Sequence, residues 1–226
     1  MATHLDLEEQ EQLDQLKSFW KQYGNLITWV LIAVLGTYAA WNGWNWWQRD
    51  QAVKAGAMYD ELDRAAQAGD ADRAGRIFGD MKERFPRTAF TAQGGLLAAR
   101  TQFEKGQIDN ARATLAWVAE SAGETEVQSI ARLRLAGVLL DEKKYDEALK
   151  QLDSATAKEF EALVADRRGD VLLAQGKKDE AKAAYMRAWQ AMDARVEYRR
   201  LIDAKLTALG AAPAAAASAA SAAAGQ

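Results

Sequence analysis

At 226 residues, with 29 basic and 32 acidic side chains, the chain carries a formal charge of only −3. It lacks the basic excess typical of nucleic-acid binders, and no nucleic-acid partner is expected. Cysteine is absent and the one histidine, His4, lies near the N-terminus, which removes disulfides, thiolate chemistry, His-ligated zinc and histidine-based triads from any folded domain.

The first 22 residues form an acidic tail (Asp6, Glu8, Glu9, Glu11, Asp14) that precedes the basic pair Lys17 and Lys21. Leu5, Leu7, Leu13 and Leu16 lie among the acids, but an isolated helix of this length is marginal in water, and a solvated leader is the simpler reading. Between Lys21 and Arg49 no charged residue occurs, and Leu26 to Trp41 is almost wholly apolar. A helix over residues 23–48 is predicted to span a membrane. Its stretch from Asn25 to Trp47 reaches ~35 Å at ~1.5 Å per residue, enough for a ~30 Å hydrocarbon core. Leu26, Trp29, Leu31, Ile32 and Leu35 supply the apolar surface; Trp41, Trp44 and Trp47 belong to an aromatic belt at the far interface. Membrane lipid is therefore an expected partner. An acid-rich leader is unlike the basic start of a cleavable signal peptide, and a tryptophan belt is unlike a soluble core helix. The two lysines on the short tail favour an N-terminus inside and a C-terminal domain outside.

Residues 49–68 read as a connecting helix that continues from the span into the first unit of a helical array. The tail before the span holds two basic and five acidic residues, so the remainder carries 27 of each and is neutral. From 69 to 209 the composition is that of packed helices, and a repeat appears on aligning Gly69-Asp70-Ala71-Asp72-Arg73-Ala74, Gly106-Gln107-Ile108-Asp109-Asn110-Ala111, Lys143-Lys144-Tyr145-Asp146-Glu147-Ala148 and Gly176-Lys177-Lys178-Asp179-Glu180-Ala181. The closing alanines are spaced 37, 37 and 33 residues apart, each followed four residues later by Phe78, Leu115, Leu152 or Tyr185. A turn, a small residue that lets two helices approach and a bulky residue beside it are the physics of a tetratricopeptide repeat.

Two features depart from the pattern: Gln102 stands where a large apolar residue is expected, and the 37-residue spacing predicts a longer turn near Ser121 to Glu126. Met192, Val196, Leu201, Ile202, Leu206 and Leu209, on a helix from about Gln190, are predicted to cap the array, and residues 210–226 read as a disordered alanine-rich tail. The fold expected is all-α: one transmembrane helix, then an array of tetratricopeptide-like hairpins with a C-terminal capping helix.

No carboxylate pair is marked for acid–base work, because the acids alternate with lysine and arginine; a non-enzymatic protein without cofactor or metal is expected. In arrays of this kind the first helix of each unit lines the inner surface. Arg100, Gly137 and Asp170 share one register there and Phe103, Leu140 and Leu173 the next turn, which makes these six the candidate partner contacts. Ordinary packing is an equal reading for the three apolar ones, and Arg100 and Asp170 are expected to be exposed.

The chain resembles the YfgM family of single-span tetratricopeptide proteins of the Gram-negative inner membrane. The resemblance rests on Gln15-Leu16-Lys17-Ser18-Phe19-Trp20-Lys21-Gln22-Tyr23-Gly24, the span, Leu133-Arg134-Leu135-Ala136, the run from Val164 to Lys177 and the late Ala204-Lys205-Leu206. It implies a cytoplasmic N-terminus and a periplasmic array. It further implies association with Sec translocon subunits alongside a membrane-anchored periplasmic chaperone of the peptidyl-prolyl isomerase type; binding of emerging secretory proteins by an array held at the translocon exit is the mechanism expected from that placement. The alternative is a scaffold subunit of another envelope assembly, such as a secretion apparatus or a cytochrome maturation machine.

Overall fold

A computed structural model of the chain describes residues 7–211, with side chains from residue 11 onward. Every regular element among these is helical: α1 (Leu7–Gln67), α2 (Ala71–Arg84), α3 (Ala89–Glu104), α4 (Ile108–Ser121), α5 (Thr125–Asp141), α6 (Tyr145–Asp153), α7 (Glu161–Ala174), α8 (Lys178–Ala191) and α9 (Tyr198–Ala208). A short 3-10 turn, Lys158–Phe160, leads into α7. The expected alanine-rich tail lies, from residue 212, outside the described residues, as do the first six residues of the acidic leader. The chain divides into two units, Met1–Gln51 and Ala52–Gln226.

In the first unit, α1 contains a stretch long and apolar enough to cross a bilayer. Its anchor residues are not a buried core: exposure runs from 48% at Trp47 to 68% at Trp41, with Leu26, Trp29, Leu31, Ile32, Leu35 and Trp44 in between. Apolar side chains turned outward all round a helix suit lipid and not water. The threonine hydroxyls in the stretch are satisfied within the helix, Thr28 donating to the Gly24 carbonyl and Thr37 to that of Ala33, both at 2.8 Å. The leader is helical from Leu7, because α1 begins there.

In the second unit the helices pair as hairpins: residues 52–67 of α1 with α2, then α3 with α4, α5 with α6 and α7 with α8, closed by α9. Each hairpin turn places one residue in the left-handed region: Gly69 (φ 66°), Gly106 (75°), Lys143 (61°) and Gly176 (80°). The same two hydrogen bonds close all four. In the third turn Lys143 N donates to the Leu140 carbonyl at 2.9 Å and Lys144 N to that of Leu139 at 2.8 Å, and the other three repeat this pattern. That satisfies the last carbonyls of the first helix and reverses the chain. Asp70 and Thr88 then cap α2 and α3 by accepting from the Arg73 and Thr91 amides.

The core runs along the array as three adjoining clusters. Leu62 and Ala65 of α1 meet Ala74, Ile77, Phe78 and Met81 of α2 and Ala98 of α3. Leu115, Leu135, Leu139, Ala148, Leu152 and Val171 form the middle. Leu172, Ala181, Tyr185, Ala188, Ile202 and Leu206 form the last. The bulky residues named from the repeat, Phe78, Leu115, Leu152 and Tyr185, are all buried. A methyl on Gly169 would collide with the Tyr185 ring, so that crossing requires glycine.

One departure from the repeat is explained and two local expectations are corrected. Gln102 is buried and stays polar, because Thr114 Oγ1 donates to its Oε1 at 2.9 Å. The 37-residue spacing does not lengthen the turn between Ser121 and Glu126. Only residues 122–124 link α4 to α5, and α5 has 17 residues against 14 in α7. The longer spacing sits in the helices: α4 has 14 residues against 9 in α6, and with the longer α5 this outweighs a link that is shorter than residues 154–160. The cap does not begin near Gln190, which belongs to α8; α9 starts at Tyr198 and buries Ile202 and Leu206, leaving Val196 and Leu201 exposed.

Candidate partner-binding groove

Alpha-helical hairpins stacked side by side leave a channel between successive first helices, because the second helices splay behind them. Here the channel is a groove of about 510 Å³ lined by α3 (Ala99, Arg100, Phe103), α4 (Leu115), α5 (Arg134, Gly137, Val138, Asp141) and α7 (Arg167). Three of the six candidate contacts, Arg100, Phe103 and Gly137, meet there. Gly137 presents no side chain to the channel, and a methyl there would only touch the Arg167 guanidinium, at 3.7 Å. Phe103 offers an exposed ring (42%) on the same wall.

The remaining three go elsewhere. Leu140 packs against the middle cluster. Leu173 is exposed but does not line the groove. Asp170, expected to be exposed, is half-buried: Tyr185 Oη donates to its Oδ1 at 2.8 Å and Lys205 Nζ at 2.7 Å. The physical reason is α9, which packs against α8 and reaches α7 through its side chains, setting Lys205 between two acids. Its Nζ also reaches both oxygens of Asp166 at 2.9 Å, and Tyr198 Oη donates to Asp166 Oδ2 at 2.8 Å. Asp166 is only 2% exposed, so this cluster holds the cap in place and presents little to a partner. Burial first, and hydrogen bonding to the neighbouring carboxylate second, raise the Tyr185 and Tyr198 phenols well above the usual tyrosine range.

Arg134, Asp141 and Arg167 were missed by the sequence register. A signal for two of them exists: Arg134 and Arg167 are 33 residues apart, the same interval as Ala148 and Ala181, and so hold equivalent positions in consecutive units. Arg100 pairs with Glu104 at 2.8 Å, and that partner raises its pKa. Arg134 donates from Nη1 to the Leu96 carbonyl at 3.2 Å; burial, and then the charge of Arg100, lower its pKa. Among the described residues no group of three His, Asp or Glu side chains is placed to hold a metal ion. A groove with an apolar floor and guanidinium rim is suited to holding a polypeptide segment.

Residues 17–211 match the family model of the tetratricopeptide repeat-like domain. A Neisseria gonorrhoeae protein named ancillary SecYEG translocon subunit is 33% identical over 211 residues, covering 92% of this chain and all of that protein. Proteins of the same name from Haemophilus influenzae and Escherichia coli are 29% and 28% identical, covering 81% and 78% of this chain and 90% and 85% of their own. Anchor, array and cap fall together inside the residues that the family model matches, and the chain belongs to the ancillary SecYEG translocon subunit (YfgM) family of tetratricopeptide repeat-like proteins.

Proposed function

We propose that this protein is an ancillary subunit of the Sec translocon, held in the inner membrane by the single apolar stretch of α1, with the hairpin array on the periplasmic side. The observation that carries this reading is the match over 92% of the chain to a relative named for the translocon, a span long enough to include the anchor as well as the array. The exposed apolar surface of α1 supports the anchor, and the groove supports protein contact in place of chemistry. In this reading the array binds a periplasmic chaperone of the peptidyl-prolyl isomerase type, emerging secretory chains, or both. Tethering at the exit of a channel raises the effective concentration of a binding surface, so each contact works at modest affinity.

Two experiments test it. Brief in-cell crosslinking followed by mild-detergent affinity purification is expected to recover translocon subunits and a periplasmic isomerase, and to lose them when residues 23–48 are replaced by an unrelated span. Recovery of a different envelope complex instead would reassign the protein as a scaffold of that assembly. Orientation is read separately, because a chain without cysteine makes single-thiol labelling clean. A Glu120→Cys variant is expected to react with a membrane-impermeant maleimide once the outer membrane is permeabilised, and Lys17→Cys only after the inner membrane is opened; the reverse order would invert the topology.

A further inference from the structure

The lining of the α3–α5 groove is electrostatically lopsided: three arginines face one carboxylate, Asp141. Seven residues separate Asp141 from Arg134, which is ~10 Å along α5, so the acid stands two turns away from that arginine. Arg134 has no carboxylate within ion-pair distance among the described residues, and its one hydrogen bond in the groove goes to a backbone carbonyl. Arg167 reaches Asp170 only at 3.8 Å, and that acid is already held by Lys205 and Tyr185. Arg100 does have a partner, Glu104, but the two side chains are 66% and 56% exposed, and such a surface pair exchanges at little energetic cost.

Beside this apolar floor Arg134 lacks an anion, and the neighbouring charge of Arg100, held only by an exchangeable surface pair, works against it. A carboxylate set between them relieves the repulsion and accepts the parallel hydrogen bonds that guanidinium geometry favours. The floor beneath consists of Ala99, Phe103, Leu115 and Val138, so the occupant carries an apolar group within a residue or so of its acid. Residues 212–226 contain no aspartate or glutamate, which leaves that part of the chain without the matching side chain.

We infer that the groove binds an extended segment of a partner protein in which an acidic side chain stands next to a large apolar one, the carboxylate between Arg100 and Arg134 and the apolar group on Phe103. This rests on the reading of the array as a protein-binding surface and names the chemistry of its ligand.

The test uses the full chain in nanodiscs of zwitterionic lipid and fluorescence anisotropy with three labelled peptides: alternating Leu and Glu between Gly-Ser flanks, the same peptide with Gln for Glu, and the same with Ser for Leu. The Leu-Glu peptide is expected to bind at least about tenfold more tightly than either control, and to weaken in ~0.5 M salt. Arg134→Gln is expected to weaken it by at least about fivefold and Arg187→Gln, on the exposed face of α8, to leave it unchanged. Gly137→Leu fills the groove without altering a charge and is expected to abolish binding while the melting temperature holds. Equal binding of the Gln peptide, wild-type affinity in both groove variants, or Arg134-dependent capture of phosphatidylglycerol vesicles in place of peptide would overturn the inference. Translocon recovery by wild type without peptide binding refutes this inference alone; peptide binding without translocon recovery refutes the function proposed above and leaves this one standing.

Discussion

Three of the four hairpin turns use glycine in the left-handed region and the third uses Lys143 at φ 61°. A side chain there strains the backbone by ~1–2 kcal/mol, partly offset because glycine loses more freedom on folding. Lys143→Gly is therefore expected to stabilise the chain by ~0.5–1 kcal/mol, read as a higher urea midpoint at unchanged m-value. Tyr185 and Tyr198 make a second prediction, about pH. In the unfolded chain both phenols ionise near pH ~10, whereas burial and the Asp170 and Asp166 carboxylates keep them protonated in the fold. Above pH ~10 the unfolded state thus binds fewer protons than the native one, and stability falls as pH rises; below that pH their contribution is fully present. Urea midpoints measured from pH ~9 to ~11.5 are expected to drop steadily, with a shallower slope in Tyr185→Phe and Tyr198→Phe. An identical slope in both variants would assign the alkaline loss to other groups.

The capping helix depends on one lysine. Lys205 Nζ bridges Asp166 and Asp170, so Lys205→Met leaves a buried acid without its cation and is expected to destabilise the protein by ~3 kcal/mol. Because hairpins contact only their neighbours, the loss should appear first as faster amide exchange in α9 and α8, with α2 to α4 protected as before. Exchange accelerated evenly along the array would show that it unfolds as one unit instead. The same cluster shows where sequence reading stops. The run from Val164 to Lys177 and the later Ala204-Lys205-Leu206 were both visible as resemblance, yet their pairing across 39 residues was not, because no local period links α7 to α9. Periodicity did reveal the hairpin turns and the residues beside them, since Gly69, Gly106, Lys143 and Gly176 recur at fixed distance from a buried alanine. The groove was half legible for a related reason. A register places Arg100, Phe103 and Gly137 on the inner surface, but whether a residue at that register is open depends on the neighbouring hairpin, and α9 closes over Asp170 while none of the described residues closes over Phe103.

At the scale of the whole chain, the first hairpin borrows half of its substance from the helix that carries the anchor. Composition suggested a connecting helix over residues 49–68 ahead of an array that begins at 69, but the buried faces divide the chain elsewhere. Leu62 is fully buried and packs with Ala65, Ala74, Met81 and Ala98, with Met58 and Tyr59 beside them; Tyr59 also meets the Phe90 ring at 6.0 Å. Arg73 reaches back to Glu61 at 2.8 Å. Residues 52–67 thus serve as the first helix of the array, and removing them would uncover Ile77 and Met81. Burying one large apolar side chain contributes ~1.5–3 kcal/mol, so loss of Leu62 with parts of Met58 and Tyr59 amounts to ~4–5 kcal/mol, a large share of the stability of a domain this size. A soluble fragment of residues 52–211 is therefore expected to unfold cooperatively with the helicity of the intact array, whereas residues 69–211 should melt at least ~10 °C lower and expose apolar surface to a hydrophobic dye. Equal melting temperatures for the two fragments would return residues 52–67 to the role of a connector. A difference of the expected size would make residues 52–67 the first helix of the array, so that the C-terminal end of α1 belongs to the fold of the second unit.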